Sequence, residues 1–264
     1  MTSATQLRER HLIQDGAAVF LAEVGEGPKP DRALLLLHGS GMDHRAWRAM
    51  LTALAAAGAS ALAPDLPGHG QSEGPPLAAI SDLAAWVVRL TRSLALERPV
   101  LAGHSMGALV ALEGAAKLGR AAGGLALVGA AAEMPVNPAL LEAARIDPSR
   151  AAEMIAGWGY GPAAQADGRA EAGRRLLEAA LPGVLAADLA ACQDYRNAAR
   201  ALSHVRCPVL VVAGEKDRMT PAKRGRALAE AVPGARYEEL AGIGHMLPEE
   251  TPERLAALVL GLVP

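Results

Sequence analysis

The segment Gly103-His104-Ser105-Met106-Gly107 sets a serine between two glycines, directly after the apolar run Val100–His104 and before the helix-compatible run Met106–Leu118. A serine on a sharp strand-to-helix turn exposes its hydroxyl, and only small flanking residues avoid clashes there. The N-terminus of the following helix favours negative charge that develops beside it. These features point to nucleophilic attack on an acyl carbon; the bland alternative is a glycine-rich turn. A neutral hydroxyl is a weak nucleophile, so the chemistry also requires a base and a group that orients it. His245 closes Ala241-Gly242-Ile243-Gly244-His245, after a strand-like Tyr237–Leu240. Asp217 closes the turn after the apolar block Val209–Gly214. His245 would take the proton from Ser105, and Asp217 would hold the ring in the right tautomer and stabilise its cation. Glu133, shortly after Leu125–Gly129, is an alternative acid, and Glu215 reads as a turn residue.

An acyl-transfer transition state places charge on the former carbonyl oxygen, which needs two preorganised N–H donors. The run Leu34–Leu37 leads into His38-Gly39-Ser40-Gly41. The backbone N–H groups of Ser40 and Met106 are the candidate donors. His38, His69 and His104 lie in or beside glycine-rich loops and read as loop-shaping; His11, His44 and His204 have no companion motif. No HExxH, paired-histidine or Cys/His set suggests a metal, and nothing suggests a cofactor. Cys192 and Cys207 lack CxxC or ligand spacing and read as reduced, structural thiols.

These residues need a scaffold. Short apolar blocks at Ala33–His38, Ala59–Ala63, Val100–His104, Leu125–Gly129 and Val209–Gly214 have the length of buried parallel strands. Between them lie helix-compatible Asp43–Ala57, Ile80–Leu96, Met106–Leu118 and Pro221–Ala231. The alternation predicts an α/β fold, a mostly parallel sheet with helices on both faces. Leu12–Gln14 and Ala18–Glu23 around Asp15-Gly16 predict an antiparallel hairpin at its start. From 132 to 205 the rhythm breaks into helical pieces at Pro138–Arg145, Ala151–Ile155, Arg169–Ala180 and Asp188–Leu202. That stretch is expected to be a helical cap inserted into a core formed by 1–131 and 206–264.

Composition narrows the function classes. With 26 Lys and Arg against 28 Asp and Glu, the formal charge is −2, and no basic cluster suits a nucleic acid. No run approaches the roughly 18 apolar residues of a membrane span. Met1 to Arg10 are polar and lack the apolar core of a secretory signal. The expectation is a soluble cytoplasmic protein acting on a small molecule.

HGSG at 38–41 with Trp47, DLPGHGQS at 65–72, GHSMG at 103–107, AGEKD at 213–217 and GIGHMLPEETPE at 242–253 together resemble the α/β-hydrolase superfamily. The likeness is to its small, cofactor-independent serine esterase and haloperoxidase-like branch. It implies an eight-stranded, mostly parallel sheet with a cap after strand six, and the same roles for Ser105, Asp217, His245, Ser40 and Met106. Serine at position 105 departs from the aspartate of the superfamily's epoxide hydrolases and haloalkane dehalogenases. Carboxylic-ester hydrolysis through an acyl-serine is the leading expectation. Lactone, thioester or C–C bond hydrolysis and a perhydrolase reaction use the same parts, and a non-catalytic ligand-binding scaffold is the rival outside enzymes. Met42, Met134, Met154, Trp158 and Tyr160 are candidates for an apolar pocket under the cap; the alternative is that they pack the cap onto the core.

Overall fold

A computed structural model describes residues 7–26 and 33–263. The leader reading of Met1 to Arg10 falls largely outside them. Strands β1 (Arg8–Gln14) and β2 (Ala17–Val24) form the expected hairpin. Asp15 and Gly16 both have positive φ, 54° and 83°, the backbone twist that suits a two-residue hairpin turn. Then follow β3 (Leu34–Leu37), β4 (Ala61–Pro64), β5 (Val100–His104), β6 (Gly124–Val128), β7 (Val209–Gly214) and β8 (Arg236–Leu240). They form one eight-stranded sheet in the order β1-β2-β4-β3-β5-β6-β7-β8. Every pairing from β4 to β8 is parallel, and β2 joins β4 antiparallel.

The helices are α1 (Arg48–Ala56), α2 (Ile80–Ser93), α3 (Met106–Leu118), α4 (Pro138–Ile146), α5 (Pro148–Gly159) and α6 (Pro162–Ala166), then α7 (Arg169–Glu178), α8 (Val184–Asp194), α9 (Ala198–His204), α10 (Ala222–Glu230), α11 (Leu247–Glu250) and α12 (Pro252–Leu260). Side chains alternate across a strand, and β3 shows the consequence. Leu35 and Leu37 pack with Leu83, Val87, Leu109 and Leu112 of α2 and α3. Leu34 and Leu36 pack with Met50 and Leu54 of α1 and with Leu255 and Val259 of α12. A sheet buried on both faces needs strands that are apolar throughout, which is why Leu34–Leu37 is an unbroken run.

Helices α4 to α9 lie between β6 and β7. Leu140, Ile155, Leu185 and Leu189 from them join Met42, Ala46 and Met246 of the remaining chain in a third apolar cluster. No helix among the described residues is long and apolar enough to cross a membrane.

Two expected helices divide. Asp43–Ala57 becomes a 3₁₀ turn, His44–Trp47, followed by α1. There the Asp43 carboxylate accepts the Arg45 N–H, and Asp65 accepts both the N–H and the ring Nδ1–H of His44. Asp188–Leu202 falls partly in α8 and partly in α9, with a break at Tyr195. The Tyr195 hydroxyl and the Asn197 amide both donate to Glu113 of α3. Tertiary hydrogen bonds override helix propensity at both places.

The parallel order reverses beside β3: the chain leaves it for β4 on one side and returns to β5 on the other. Such a switch point opens a crevice at the C-terminal ends of the strands. Leu36, fully buried in the middle layer, tests this packing. Leu36→Ala should lower unfolding free energy by about 2–5 kcal/mol, while Ile13→Ala at an exposed site should stay within about 0.5 kcal/mol of wild type, both read from urea unfolding.

Candidate active site

Ser105 lies at the point where β5 turns into α3, with φ 53° and ψ −118°. Positive φ is unusual for a residue with a Cβ and costs of order 1–3 kcal/mol. Its N–H donates to Val128 O of β6 at 2.9 Å, and its carbonyl accepts the Ala108 N–H at 2.9 Å. The flanking glycines are required by close approach. A Cβ on Gly103 would overlap the Gly107 carbonyl, and one on Gly107 would overlap the carbonyl oxygens of Leu37 and His38. The GxSxG spacing thus lets the start of α3 sit directly on the end of β3.

That approach brings Ser105 beside the loop after β3, where a Cβ on Gly39 would stand 3.4 Å from the Ser105 Cβ. The loop's shape is set in part by a neutral histidine. His38 donates from Nδ1 to Gly39 O and accepts the Leu66 N–H on Nε2. Burial, reinforced by the neighbouring His69, lowers its pKa to about 4. The Ser40 and Met106 N–H groups donate to no acceptor in the loops and turns among the described residues. They are the two donors singled out in the sequence.

His245 and Asp217 come from the loops after β8 and β7. His245 Nδ1 donates to Asp217 Oδ2 at 2.8 Å, with both side chains buried. The other carboxylate oxygen accepts the backbone N–H groups of Met219 and Thr220 at 2.8 and 2.7 Å. Burial alone would raise the Asp217 pKa; the facing imidazole and the hydrogen bonds outweigh it and hold the carboxyl below its ordinary value. Thr220 completes the cluster. Its hydroxyl stands 2.7 Å from Asp217 Oδ2, 2.9 Å from Gly129 O and 3.1 Å from His245 Nδ1. Glu133 is exposed and makes no hydrogen bond with His245.

The His245 loop is fixed from behind. His104 donates from Nε2 to His245 O at 2.8 Å, with its ring centroid 4.9 Å from that of His245. Burial, then the nearby His245, pushes the His104 pKa down to about 3, so its ring is neutral. The His245 and Met246 N–H groups donate to Gly159 O of α5. Glu250 accepts the N–H groups of Gly244 and Gly161.

Ser105, His245, Thr220 and Ser40 line one cavity of about 500 Å³, with Leu140, Leu189, Cys192, Asn137, Arg218 and Met219 among its other walls. Of the pocket candidates, Met134 and Trp158 line it. Met42, Met154 and Tyr160 do not: they pack in the cluster between the inserted helices and the rest of the chain, and the Tyr160 hydroxyl donates to Glu249 at 2.7 Å. Burial pushes the Cys192 thiol up to about 12, so it is no nucleophile. Cys192 and Cys207 are both free. Sequence reasoning missed Thr220 and Arg218, which follow Asp217 within three positions and line the same cavity.

Asp43, His44 and Asp65 bring three ligand-type atoms within 4.8 Å of one another. Those atoms already serve each other, Arg45 and the backbone, which leaves no donor set directed at an ion.

A sheet of this order with a serine, a histidine–aspartate pair and two free N–H groups at its rim defines a hydrolase-type scaffold. Residues 34–258 match the alpha/beta hydrolase family, and the chain belongs to it. An uncharacterised protein of Mycobacterium tuberculosis is 29% identical across 89% of this chain and 75% of its own length. A thermophilic esterase from Thermogutta terrifontis superposes with a TM-score of 0.84 at 25% identity, covering 98% of this chain and 100% of that one. An epoxide hydrolase of Caballeronia sordidicola is 33% identical, over 39% of this chain and 31% of its own length.

The lowered Asp217 pKa gives a sign for pH dependence. A carboxyl more acidic when folded stabilises the fold fully above its unfolded value, near 4, and loses that contribution as pH falls through the lower folded value. Urea midpoints measured from pH 6 to pH 3 should therefore fall more steeply for wild type than for Asp217→Asn.

Proposed function

We propose that the protein hydrolyses carboxylic esters of small or medium apolar substrates through an acyl-serine, with Ser105 as nucleophile, His245 as base and Asp217 as the acid that orients it. The observation that carries this reading is the His245–Asp217 hydrogen bond at the cavity that Ser105 also lines. With Nδ1–H committed to a carboxylate, the ring's Nε2 is the basic nitrogen, and it makes no hydrogen bond among the described residues.

Ser105 Oγ attacks the ester carbon while its proton passes to His245 Nε2. The tetrahedral oxyanion is held by the N–H groups of Ser40 and Met106, each donor typically worth about 3 kcal/mol in the transition state. His245 then protonates the departing alkoxide, which leaves as the alcohol and breaks the ester C–O bond. Water attacks the acyl-serine, gives a proton to His245, and the acid departs as Ser105 regains its hydrogen. Ester and water become acid and alcohol with no net change in the enzyme. The buried Asp217, ionised at neutral pH, stabilises the imidazolium in both halves of the cycle.

The apolar walls from Met134, Leu140, Trp158 and Leu189 favour a hydrocarbon acyl or alcohol portion. Serine at position 105 stands where the superfamily's epoxide hydrolases carry aspartate, and a serine hydroxyl activated by a histidine suits attack on an acyl carbon. The likeness to an epoxide hydrolase is therefore read as shared scaffold.

A fluorophosphonate probe should label the wild-type protein and leave Ser105→Ala unlabelled. On p-nitrophenyl esters, His245→Ala should lower kcat by about 10⁴-fold or more in protein that circular dichroism shows to be folded. EDTA should leave the rate intact. Folded wild-type protein that resists the probe and turns over no ester, lactone or acyl thioester would overturn the reading in favour of a binding protein.

A further inference from the structure

Asp188 on α8 is fully buried, and its Oδ2 serves two donors from a different part of the chain. It accepts the Gly41 N–H at 2.8 Å and faces His69 Nε2 at 2.8 Å. The opposite nitrogen of His69, Nδ1, stands 3.0 Å from Pro67 O. A carbonyl only accepts, so Nδ1 carries a proton; a carboxylate oxygen already taking an N–H from Gly41 gains most from a proton on Nε2 as well. The His69–Asp188 pair thus holds one proton more than a neutral imidazole beside a carboxylate would. Burial lowers the His69 pKa, but the Asp188 hydrogen bond and charge outweigh it and raise the value overall. The ring of His38, centred 4.8 Å from that of His69, is correspondingly depressed by that neighbour.

Gly41 is the residue after Ser40, and its φ of 67° makes it the corner of the loop. Helix α8 lies directly on that corner. A Cβ on Gly41 would stand 2.8 Å from Leu185 Cδ1, and Cys192 Sγ stands 3.7 Å from Ser40 Oγ. Residues 185, 188 and 192 recur at three- and four-residue spacing, which puts them on one helix face.

We propose that Asp188 and His69 are positioning residues for the oxyanion side of the active site. This rests on the ester-hydrolase reading above. Held by the buried pair, the Gly41 N–H fixes the corner of the loop, and with it the direction of the adjacent Ser40 N–H. The loop is therefore set from the inserted helices as well as from its own histidine, His38. A donor aimed at the oxyanion acts chiefly in the transition state, so its misalignment lowers kcat and leaves substrate binding almost alone.

The test is D188N, which keeps size and removes the charge. On p-nitrophenyl butyrate, kcat should fall about 10- to 100-fold with KM within about threefold of wild type. The inhibition constant of an alkyl trifluoromethyl ketone, whose serine adduct carries the oxyanion, should rise in proportion to the fall in kcat/KM. A merely structural role would lower the thermal midpoint without this parallel. Should D188N fail to accumulate as folded protein, H69Q removes the cationic partner, retains Asp188 and carries the same expectations. A kcat within twofold of wild type in the folded variant, or a lowered kcat with ketone inhibition unchanged, overturns the inference while leaving the hydrolase reading in place. Wild-type protein inert to ester and fluorophosphonate alike removes that reading, and this inference with it.

Discussion

The backbone of Ser105 is the constraint around which the rest is arranged. A φ of 53° with ψ of −118° is not a conformation that a serine holds unaided. It persists because the surroundings over-determine it. The strand before it is hydrogen-bonded on both sides, to β3 and β6, and residues 106–115 of α3 are buried without a break. Strain of order 1–3 kcal/mol is small against the burial of such a helix, where each large apolar side chain contributes roughly 1.5–3 kcal/mol. Glycine at 103 and 107 then lets α3 settle onto the ends of its own strand and of β3. The same contact that forces the turn places Ser105 beside the loop from Gly39 to Gly41.

The histidine loop is built by a related device with different materials. A Cβ on Gly214 would overlap the Gly244 carbonyl, and one on Gly244 would stand 2.5 Å from Gly159 O and Gly161 N. Backbone therefore packs on backbone from β7 through the His245 loop to the end of α5. Gly129, with φ 59°, lies close against the imidazole, since an added Cβ would stand 3.2 Å from His245 Nδ1 and crowd it. The buried histidines divide by charge. His38 and His104 are neutral hydrogen-bonding struts, because burial outweighs their partners. His69 meets a carboxylate and is shifted the other way. Residue type alone does not separate these roles; the atom opposite each ring nitrogen does.

That difference explains what the sequence disclosed. The middle of the sheet was legible because β3 to β7 are short apolar blocks, most closed by glycine, histidine or proline, and buried parallel strands leave little room for polar residues. Ser105 and Asp217 follow such blocks and His245 follows the edge strand β8, so the positions of all three after strands of the sheet were legible. The branch of α/β hydrolases was legible because five motifs occur in order, and the family match over residues 34–258 agrees with it. The pocket was much less so. Met42, Met154 and Tyr160 are as apolar and as well spaced as Met134 and Trp158, yet which face of an inserted helix meets the cavity depends on how the helices pack together. Asp188 acts through partners 119 and 147 positions away, so its neighbours in the chain carry no signal of it. The break at Tyr195 is hidden for the same reason, since Glu113 on another helix draws it out.

Besides the Tyr195 and Asn197 bonds to Glu113, two sets of polar anchors tie the inserted helices to the loops at the cavity. Arg169 donates to the carbonyls of Glu249 and Glu250, the Tyr160 hydroxyl donates to Glu249, and Gly159 O receives the His245 N–H. On the other side, Asp188 receives His69 and the Gly41 N–H. One set holds the loop of His245, and the other holds the loop of Ser40. Burial raises the Glu249 pKa to about 7 despite the Tyr160 hydrogen bond, so even the first set includes a carboxyl that gives up solvation to be there. Buried polar groups are costly when left unpaired, and moving these helices away as a body would unpair groups at both loops together. The exposed walls of the cavity, Pro135, Asn137 and Arg218, take part in neither set. The cavity is therefore bounded by anchored backbone beside Ser40 and His245 and by exposed side chains elsewhere on its wall.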